Sequence, residues 1–309
     1  MSSPSEVSPT ETTPKSRTGV IHDIGYRPYS GERLGEGAVA WSLFVTGLRN
    51  CFGLGRSARS KALPMILLGM MLLPALILVG VLVQARQLFN LNDQIVPYST
   101  YPLTVQLMIS VFVASQAPVL ISRDLRFRTL TLYLARPLRR TTYVLVRMAS
   151  LTAATFILIG LPLLLMYVGG LLADLPVGRE SERIVQALVG ALLLSGCLAG
   201  PAAVVAAMTT RRGLAIAAII VVLLVSFVVV SSVQGIGIET GHDTVAQVAG
   251  LFSPYTLTNE VQVFLFDSTP GTQAPPTGNG LGMLHLLAVA VVLLGSVGAM
   301  LWRYRKVEA

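Results

Sequence analysis

The sequence predicts an all-α integral membrane protein with six transmembrane helices. Of its 309 residues, 53% are hydrophobic and 12% are charged, and the mean hydropathy is +0.69. That composition is too apolar for a soluble domain of this size. Several runs also exceed the roughly 20 apolar residues that cross a bilayer core. Finally, Lys and Arg gather in alternate connecting segments, the pattern of a multi-pass protein with basic cytoplasmic loops.

The N-terminal 61 residues precede the first apolar run. Residues 1–18 are rich in Ser, Thr and Pro, which predicts a disordered cytoplasmic tail, and no apolar core of a signal peptide follows them. Within 19–61, a cytoplasmic and interfacial region, aromatic and aliphatic residues recur at helical spacing, which predicts an amphipathic helix on the membrane surface. Its apolar face comprises Trp41, Phe44, Val45, Leu48 and Phe52. The helix fits either a gating connector or a simple anchor.

The six predicted spans form a transmembrane domain over 62–302, followed by a cytoplasmic tail, 303–309. Short links at 173–183 and 209–213 separate some spans, but their charges and glycines favour a turn over one continuous helix. The spans are 62–83, 101–121, 148–172, 184–208, 214–233 and 283–302.

The placement of basic residues predicts the orientation. Twenty of the 23 Lys and Arg residues fall in 1–61, 122–147, 209–213 and 303–309, so both termini are expected in the cytoplasm. Basic loops beside an anionic inner leaflet also account for the net charge of +8 without a nucleic-acid partner.

The extracytoplasmic segment 234–282 contains a long apolar stretch, 245–266. A seventh span there would move the C-terminus outside. Ser253-Pro254, Asn259 and Glu260 interrupt the stretch, and unpaired backbone is costly in lipid, so we expect shorter helices instead.

The six predicted spans contain no Asp, Glu, Lys or Arg. This disfavours a secondary transporter, which needs ionisable groups in the membrane, and we expect His285 to be an interfacial side chain. Burial of Asp93 or Asp174 would revive that class. The cysteines and histidines are too scattered for a metal site. A GxxxxGK[ST] loop is also absent, so the chain is not expected to be an enzyme that hydrolyses ATP.

The segment 122–147 carries seven arginines and one acid, interleaved with Leu and Phe. Arginine pairs bidentately with carboxylates, which suits a docking surface for a protein. A loop that only sets topology, with its arginines at lipid phosphates, is the alternative.

The run 124–143 resembles the cytoplasmic loop between the second and third spans of ABC exporter permeases of type 2. Their pattern is an acid, Gly-Thr-Leu, a hydrophobic run ending in Ala-Arg-Pro, a basic residue and Tyr. Here Asp124 replaces the commoner Glu, and Arg128 stands where the family has Gly. The matching residues are Asp124, Thr129, Leu130, Ala135, Arg136, Pro137, Arg139 or Arg140, and Tyr143. Residues 25–35 resemble the N-terminal region of these permeases, and 245–266 resembles their re-entrant helices before the last span.

The resemblance implies the permease subunit of an ATP-driven exporter in a bacterial plasma membrane, paired as a dimer with a second copy or a related permease. Its coupling loop would bind a separate ATPase subunit that supplies ATP and Mg, so the permease itself would bind no cofactor directly. Membrane lipid is a further partner, and nucleic acid is not. The loop residues expected to contact the ATPase are Asp124, Arg126, Arg128, Thr129, Arg136, Pro137, Arg139 and Arg140. The alternative is a non-transporting membrane scaffold that recruits a soluble partner through the same loop.

Overall fold

The computed structural model describes residues 35–55, 58–89, 93–122, 138–209 and 211–305. These residues form helices, turns and loops, with no strand among them. In chain order the helices are α1 (Glu36–Cys51), α2 (Ala58–Phe89), α3 (Tyr101–Thr104), α4 (Gln106–Leu120), α5 (Arg140–Leu172), α6 (Val177–Met208), α7 (Arg212–Glu239), α8 (Asp243–Ala249), a 3-10 turn (Gly250–Phe252), α9 (Pro254–Phe266) and α10 (Asn279–Arg305).

Five of these helices, α2, α5, α6, α7 and α10, are long and apolar enough to cross a membrane. The shortest has 27 residues and the longest 33, so at 1.5 Å per residue they run for ~40 to 50 Å, beyond the ~30 Å of a bilayer core. Each helix is therefore long enough to cross the hydrocarbon layer even when it is tilted. The fold is that of an all-α multi-pass membrane protein.

The second predicted span, 101–121, is not one long helix. The backbone leaves helical geometry at Val105 (φ −106°, ψ 17°), which divides the run into α3 and the 15-residue α4. At ~22 Å, α4 alone is shorter than a bilayer core, so among the described residues five helices, rather than the six predicted, are long and apolar enough to cross a membrane. Ten of its residues are buried, because α4 packs against α5, α6 and α7. Hydropathy alone does not distinguish a helix buried by protein from one that faces lipid.

Contacts between helix termini divide the bundle into two ends. At one, Ser122 Oγ donates to the Ala206 carbonyl (2.5 Å) and Arg303 Nε to the Ala207 carbonyl (3.4 Å). We call this the α1 end, because Glu36 of α1 contacts the start of α5 there. At the other, the hairpin end, Arg86 donates to the Asp174 carbonyl (2.6 Å).

Helices α8 and α9 form a hairpin that folds back into the bundle. After α7 ends, Gly241 adopts a left-handed conformation (φ +72°), and α8 then runs back along α7. The hairpin turns at Ser253, where the Ser-Pro pair predicts a break, and Pro254 begins α9. Just after this turn, Tyr255 contacts the ring of Phe227 (6.2 Å between centroids). Phe227 lies 12 residues before the end of α7, so the hairpin descends ~18 Å into the bundle.

Small residues allow α6 to approach the last helix closely. A Cβ on Gly196 would lie 2.8 Å from Leu293, and one on Gly200 would lie 2.7 Å from Ser296. Both neighbours belong to α10, so the GxxxG pair mediates packing within the chain, as such motifs do between membrane helices. The main core then extends through α4, α5 and the alanine-rich end of α6.

Candidate functional site

The described part of the coupling loop consists of its two ends, because the loop's central residues lie outside the described part of the chain. Arg140 begins α5, Arg139 immediately precedes it, and both are exposed. The predicted contact residues that lie outside the described part are Asp124, Arg126, Arg128, Thr129, Arg136 and Pro137.

The C-terminal end of the loop is attached to α1 through Glu36. Its Oε1 accepts hydrogen bonds from the hydroxyl of Thr142 (2.6 Å) and the backbone N–H of Arg139 (3.3 Å). These hydrogen bonds, with that of Thr142 the stronger cause, lower the pKa of Glu36 below its ordinary value of 4.5. The carboxylate also faces the N-terminus of α5, where unpaired N–H groups favour negative charge.

The N-terminal end of the loop is attached to α6. Ser122 is buried, and its hydroxyl donates to the Ala206 carbonyl near the end of α6. A force on the loop would therefore act on α4 and α5, which the loop joins, and also on α6 through Ser122 and on α1 through Glu36.

Helix α1 docks on α5 through a face that differs from the predicted apolar face. Its buried residues are Leu43, Gly47 and Cys51. A Cβ on Gly47 would lie 2.6 Å from the Ser150 Oγ, so only glycine permits this approach. Burial raises the pKa of the Cys51 thiol to about 12.

The predicted apolar face of α1 is divided between two environments. Trp41 is 67% exposed and stacks on Phe44 (5.4 Å between centroids), while Val45 and Leu48 are half-buried. Phe52 follows the helix, is buried, and contacts the ring of Phe112 (5.7 Å). Of the residues predicted to form the apolar face of the amphipathic helix, Phe52 therefore packs inside the bundle.

Polar and charged residues cluster at the hairpin end. Glu180, which is fully buried, accepts hydrogen bonds from the Tyr98 hydroxyl (2.6 Å) and the Gln94 amide (3.0 Å). Burial and the hydrogen bond to Glu180 raise the pKa of Tyr98. Partial burial opposes a low pKa at Asp93, but hydrogen bonds from Arg183 and the Gln94 backbone lower it below its ordinary value. Both Asp93 and Asp174 are exposed.

A cavity of about 450 Å³ lies beside this cluster. Its walls come from the 93–99 segment, the first turns of α6 and the end of α9 with the residues that follow it. Guanidinium, carboxyl and amide groups line it together, including Arg179, Glu182 and Gln262. The cavity can therefore hold a polar molecule at the hairpin end of the bundle.

A carboxyl and an imidazole meet deeper in the bundle, beneath the hairpin end. Glu260 of α9 and His285 of α10 are both 0% exposed, and their Oε2 and Nε2 atoms are 2.6 Å apart. His285, expected to be an interfacial side chain, is enclosed by protein and paired with an acid. Glu260 lies outside the six predicted spans and reaches the last of them from the hairpin. An acid in the middle of the apolar stretch 245–266 was the available signal.

Comparison with models of protein families finds no match to this chain, and comparison with curated proteins finds none either. Within the part of the chain that the structure describes, no group of three or more His, Cys, Asp or Glu residues is placed to hold a metal ion.

Proposed function

We propose that this chain is the transmembrane permease subunit of an ATP-driven ABC exporter of type 2, located in a bacterial plasma membrane. The observation that carries the proposal is the arginine-rich segment 122–147. It combines the resemblance at 124–143 with attachment of both its ends to the helix bundle. The placement of Lys and Arg supports a cytoplasmic position for the α1 end and an extracytoplasmic position for the hairpin end.

In this proposal the chain supplies the path and a separate ATPase subunit supplies the energy. Closure of the ATPase subunits around ATP and Mg pushes on the loop. Its contact residues include Arg136, Pro137 and Arg139, and they transmit force without chemistry. Ser122 and Glu36 then pass the displacement to α6, α5 and α1.

A second permease, identical or related, completes the path across the membrane. Many apolar side chains of α2, α7 and α10 are exposed, and such surfaces in a bilayer face lipid or another membrane helix. Trp41 and Phe44 on α1 are suited to the headgroup region, where aromatic residues concentrate.

Charge reversal within the loop tests the proposal. The tagged chain is extracted gently from its native host, and ATPase activity is measured on the purified material. We expect an associated ATPase with the native chain and its loss with Arg136→Glu plus Arg139→Glu. The matched control is Arg211→Glu plus Arg212→Glu, an exposed pair in the other short link at the α1 end, which should retain the ATPase. If the native chain purifies without ATPase activity, the proposal fails.

The alternative is a non-transporting scaffold that recruits a soluble partner through the same loop. A scaffold would bind its partner without changing ATP turnover. Measuring the partner's ATPase rate with and without the permease in lipid nanodiscs separates the two, because a coupled permease alters that rate.

The buried Glu260–His285 pair favours a second candidate, a proton-coupled secondary transporter, since transporters of that class place ionisable groups within the membrane. Transport by such a protein would follow a pH gradient in vesicles without ATP or a partner subunit. Transport that requires the ATPase subunit and ATP would eliminate this candidate.

A further inference from the structure

The pair formed by Glu260 and His285 joins the hairpin to the last long helix. Its atoms Oε2 and Nε2 are 2.6 Å apart, although the contact is bent away from the alignment of a linear hydrogen bond. The other carboxyl oxygen, Oε1, accepts a hydrogen bond from the Gln234 amide of α7 (2.7 Å). Three helices therefore converge on one carboxyl group that has no exposure to solvent.

The geometry requires a proton within the pair. His285 Nδ1 lies 2.8 Å from the Leu281 carbonyl oxygen, which can only accept, so Nδ1 carries a hydrogen. A neutral imidazole has one N–H, leaving Nε2 bare against a carboxyl oxygen at 2.6 Å. Two acceptor atoms repel one another at this distance unless one of them carries a hydrogen. The pair is thus either imidazolium with carboxylate or neutral imidazole with carboxylic acid, and both forms hold one proton.

Within the described part of the chain, the elements around the pair offer no other charge that could replace this proton. Helix α7 presents the uncharged Gln234, and α8 presents backbone of Gln247. Where α9 packs on α6, the uncharged Gln262 lies against Gly190. The acids at the ends of α7 and α8, Glu239 and Asp243, are exposed. Among the described residues, Glu260 is the charged group that acts on the His285 imidazole.

The hairpin is shaped to admit the carboxyl group. A Cβ at Gly250 would lie 2.0 Å from the Glu260 Oε2, so any side chain there would displace the carboxyl from the imidazole. Asn259, the residue before Glu260, holds the adjoining loops by donating to the Ser99 carbonyl (3.1 Å) and accepting from the Gly271 N–H (2.9 Å). The position of Glu260 is therefore determined by packing on both sides.

We propose that Glu260 and His285 form a buried site that binds one proton and fastens the hairpin to α10, and that loss of this proton releases the hairpin. Without the proton, a buried carboxylate would face an imidazole lone pair, and an uncompensated buried charge is strongly unfavourable. Movement of the hairpin away from α10 would allow water to reach the carboxylate. This site goes beyond the proposed export function and does not depend on it.

Proton linkage gives the expected pH dependence and its sign. In the released state the two groups are hydrated, so above about pH 6.5 the imidazole is neutral and the carboxyl ionised. Release then frees one proton, and the ratio of released to fastened hairpin rises about tenfold for each pH unit. Below about pH 6.5 the released imidazole keeps its proton, so the ratio no longer changes with pH.

Cysteine accessibility measures this ratio. Val261 of α9 is 0% exposed and packs with Val289 of α10, whereas Leu265 of the same helix is 44% exposed. Val261→Cys is introduced into the full chain with both native cysteines replaced by Ala, and the protein is placed in nanodiscs. The rate of maleimide labelling is divided by that of Leu265→Cys, which removes the intrinsic pH dependence of the thiol reaction.

The normalised rate should rise with pH above about 6.5 with a slope approaching one proton. Glu260→Gln should abolish the rise, because its amide can donate to a neutral Nε2 and has no proton to lose in this range. Glu182→Gln, the same change at an exposed acid of the hairpin end, should leave it intact. A pH-independent rate in the native sequence, or a slope that persists in Glu260→Gln, would overturn the proposal.

A second measurement uses the native Glu260–His285 pair, so its result does not depend on whether a substituted protein folds. Histidine labelled with ¹⁵N reports which ring nitrogens carry hydrogen, and His285→Gln assigns the signal among the three histidines. We expect a protonated Nδ1 at about pH 8, where a free imidazole is neutral, with Nε2 either protonated or hydrogen-bonded. A bare Nδ1, or an Nε2 free of any hydrogen bond, would reject the one-proton site.

Discussion

Replacement of Gly47 by Ala tests how α1 is attached to the bundle. The added Cβ would lie 2.6 Å from the Oγ and 2.9 Å from the Cβ of Ser150. Ordinary van der Waals contacts between such atoms begin at ~3.5 Å, so the two helices must separate by nearly an ångström. Overpacking of this kind costs about 1 to 3 kcal/mol, which corresponds to roughly 5- to 150-fold in the ratio of undocked to docked α1.

The thiol of Cys51 reports on that ratio. It lies one turn beyond Gly47 on the docked face and is 0% exposed, and its pKa is raised to about 12. Because the thiolate is the reactive form, maleimide labels it only when α1 leaves α5. With Cys197 replaced by Ala, the labelling rate of Cys51 should rise by the factor given above in Gly47→Ala.

Two further variants make this test specific. Gly37→Ala is the same substitution on the same helix, but the added methyl group would lie in open space. Its labelling rate should not rise. Adding Ser150→Gly to Gly47→Ala removes the clashing atoms and should restore slow labelling in part. Equal rates in the Gly47→Ala and Gly37→Ala variants would refute the argument that this contact sets the docking of α1.

Three other outcomes follow from the contacts at the two ends and on the surface of the bundle. Hydrogen bonds lower the pKa of Glu36 below 4.5 when α1 is docked. The contribution of Glu36 to docking is therefore complete above pH 4.5 and is lost as the pH falls through the pKa of the docked state. Glu36→Gln should remove this acid dependence from the labelling rate of Cys51. Tyr98→Phe removes the hydroxyl that donates to the buried Glu180 (2.6 Å) and should lower the free energy of unfolding, measured in SDS, by about 2 kcal/mol. Tyr167→Phe removes a hydrogen bond to the hydroxyl of Ser181 and should lower it by about 1 kcal/mol. In a chain with Trp41 as its only tryptophan, lipids brominated near the headgroup should quench its fluorescence more strongly than lipids brominated at the chain ends, because the side chain is 67% exposed on α1.

The extent of the helices was largely predictable, because hydropathy and helix-breaking residues act locally. The Ser253-Pro254 pair predicts the break between α8 and α9, and Pro254 does begin α9. The prediction of one continuous span at 101–121 failed because its outcome depends on contacts that are not local in sequence. Nothing in that apolar run distinguishes burial by neighbouring helices from exposure to lipid, and α4 is buried by α5, α6 and α7.

The polar contacts were much less predictable, because their partners are distant in sequence. Glu36 meets Thr142, 106 residues later, and Gln234 meets Glu260 across the hairpin. The contact of Gly47 with Ser150 was also not predictable, because an amphipathic pattern identifies apolar side chains and does not identify a glycine that allows two helices to approach.

The sequence by itself determined that the chain crosses a membrane several times, where its long helices lie, and that its basic charge is concentrated in 122–147. These properties depend on composition and on the local preference of apolar runs for helix. The tertiary structure alone decided that Glu260 faces His285, that Gly47 admits Ser150, and that α4 lies inside the bundle. Those outcomes depend on the register and approach of helices far apart in the chain, which no local pattern specifies.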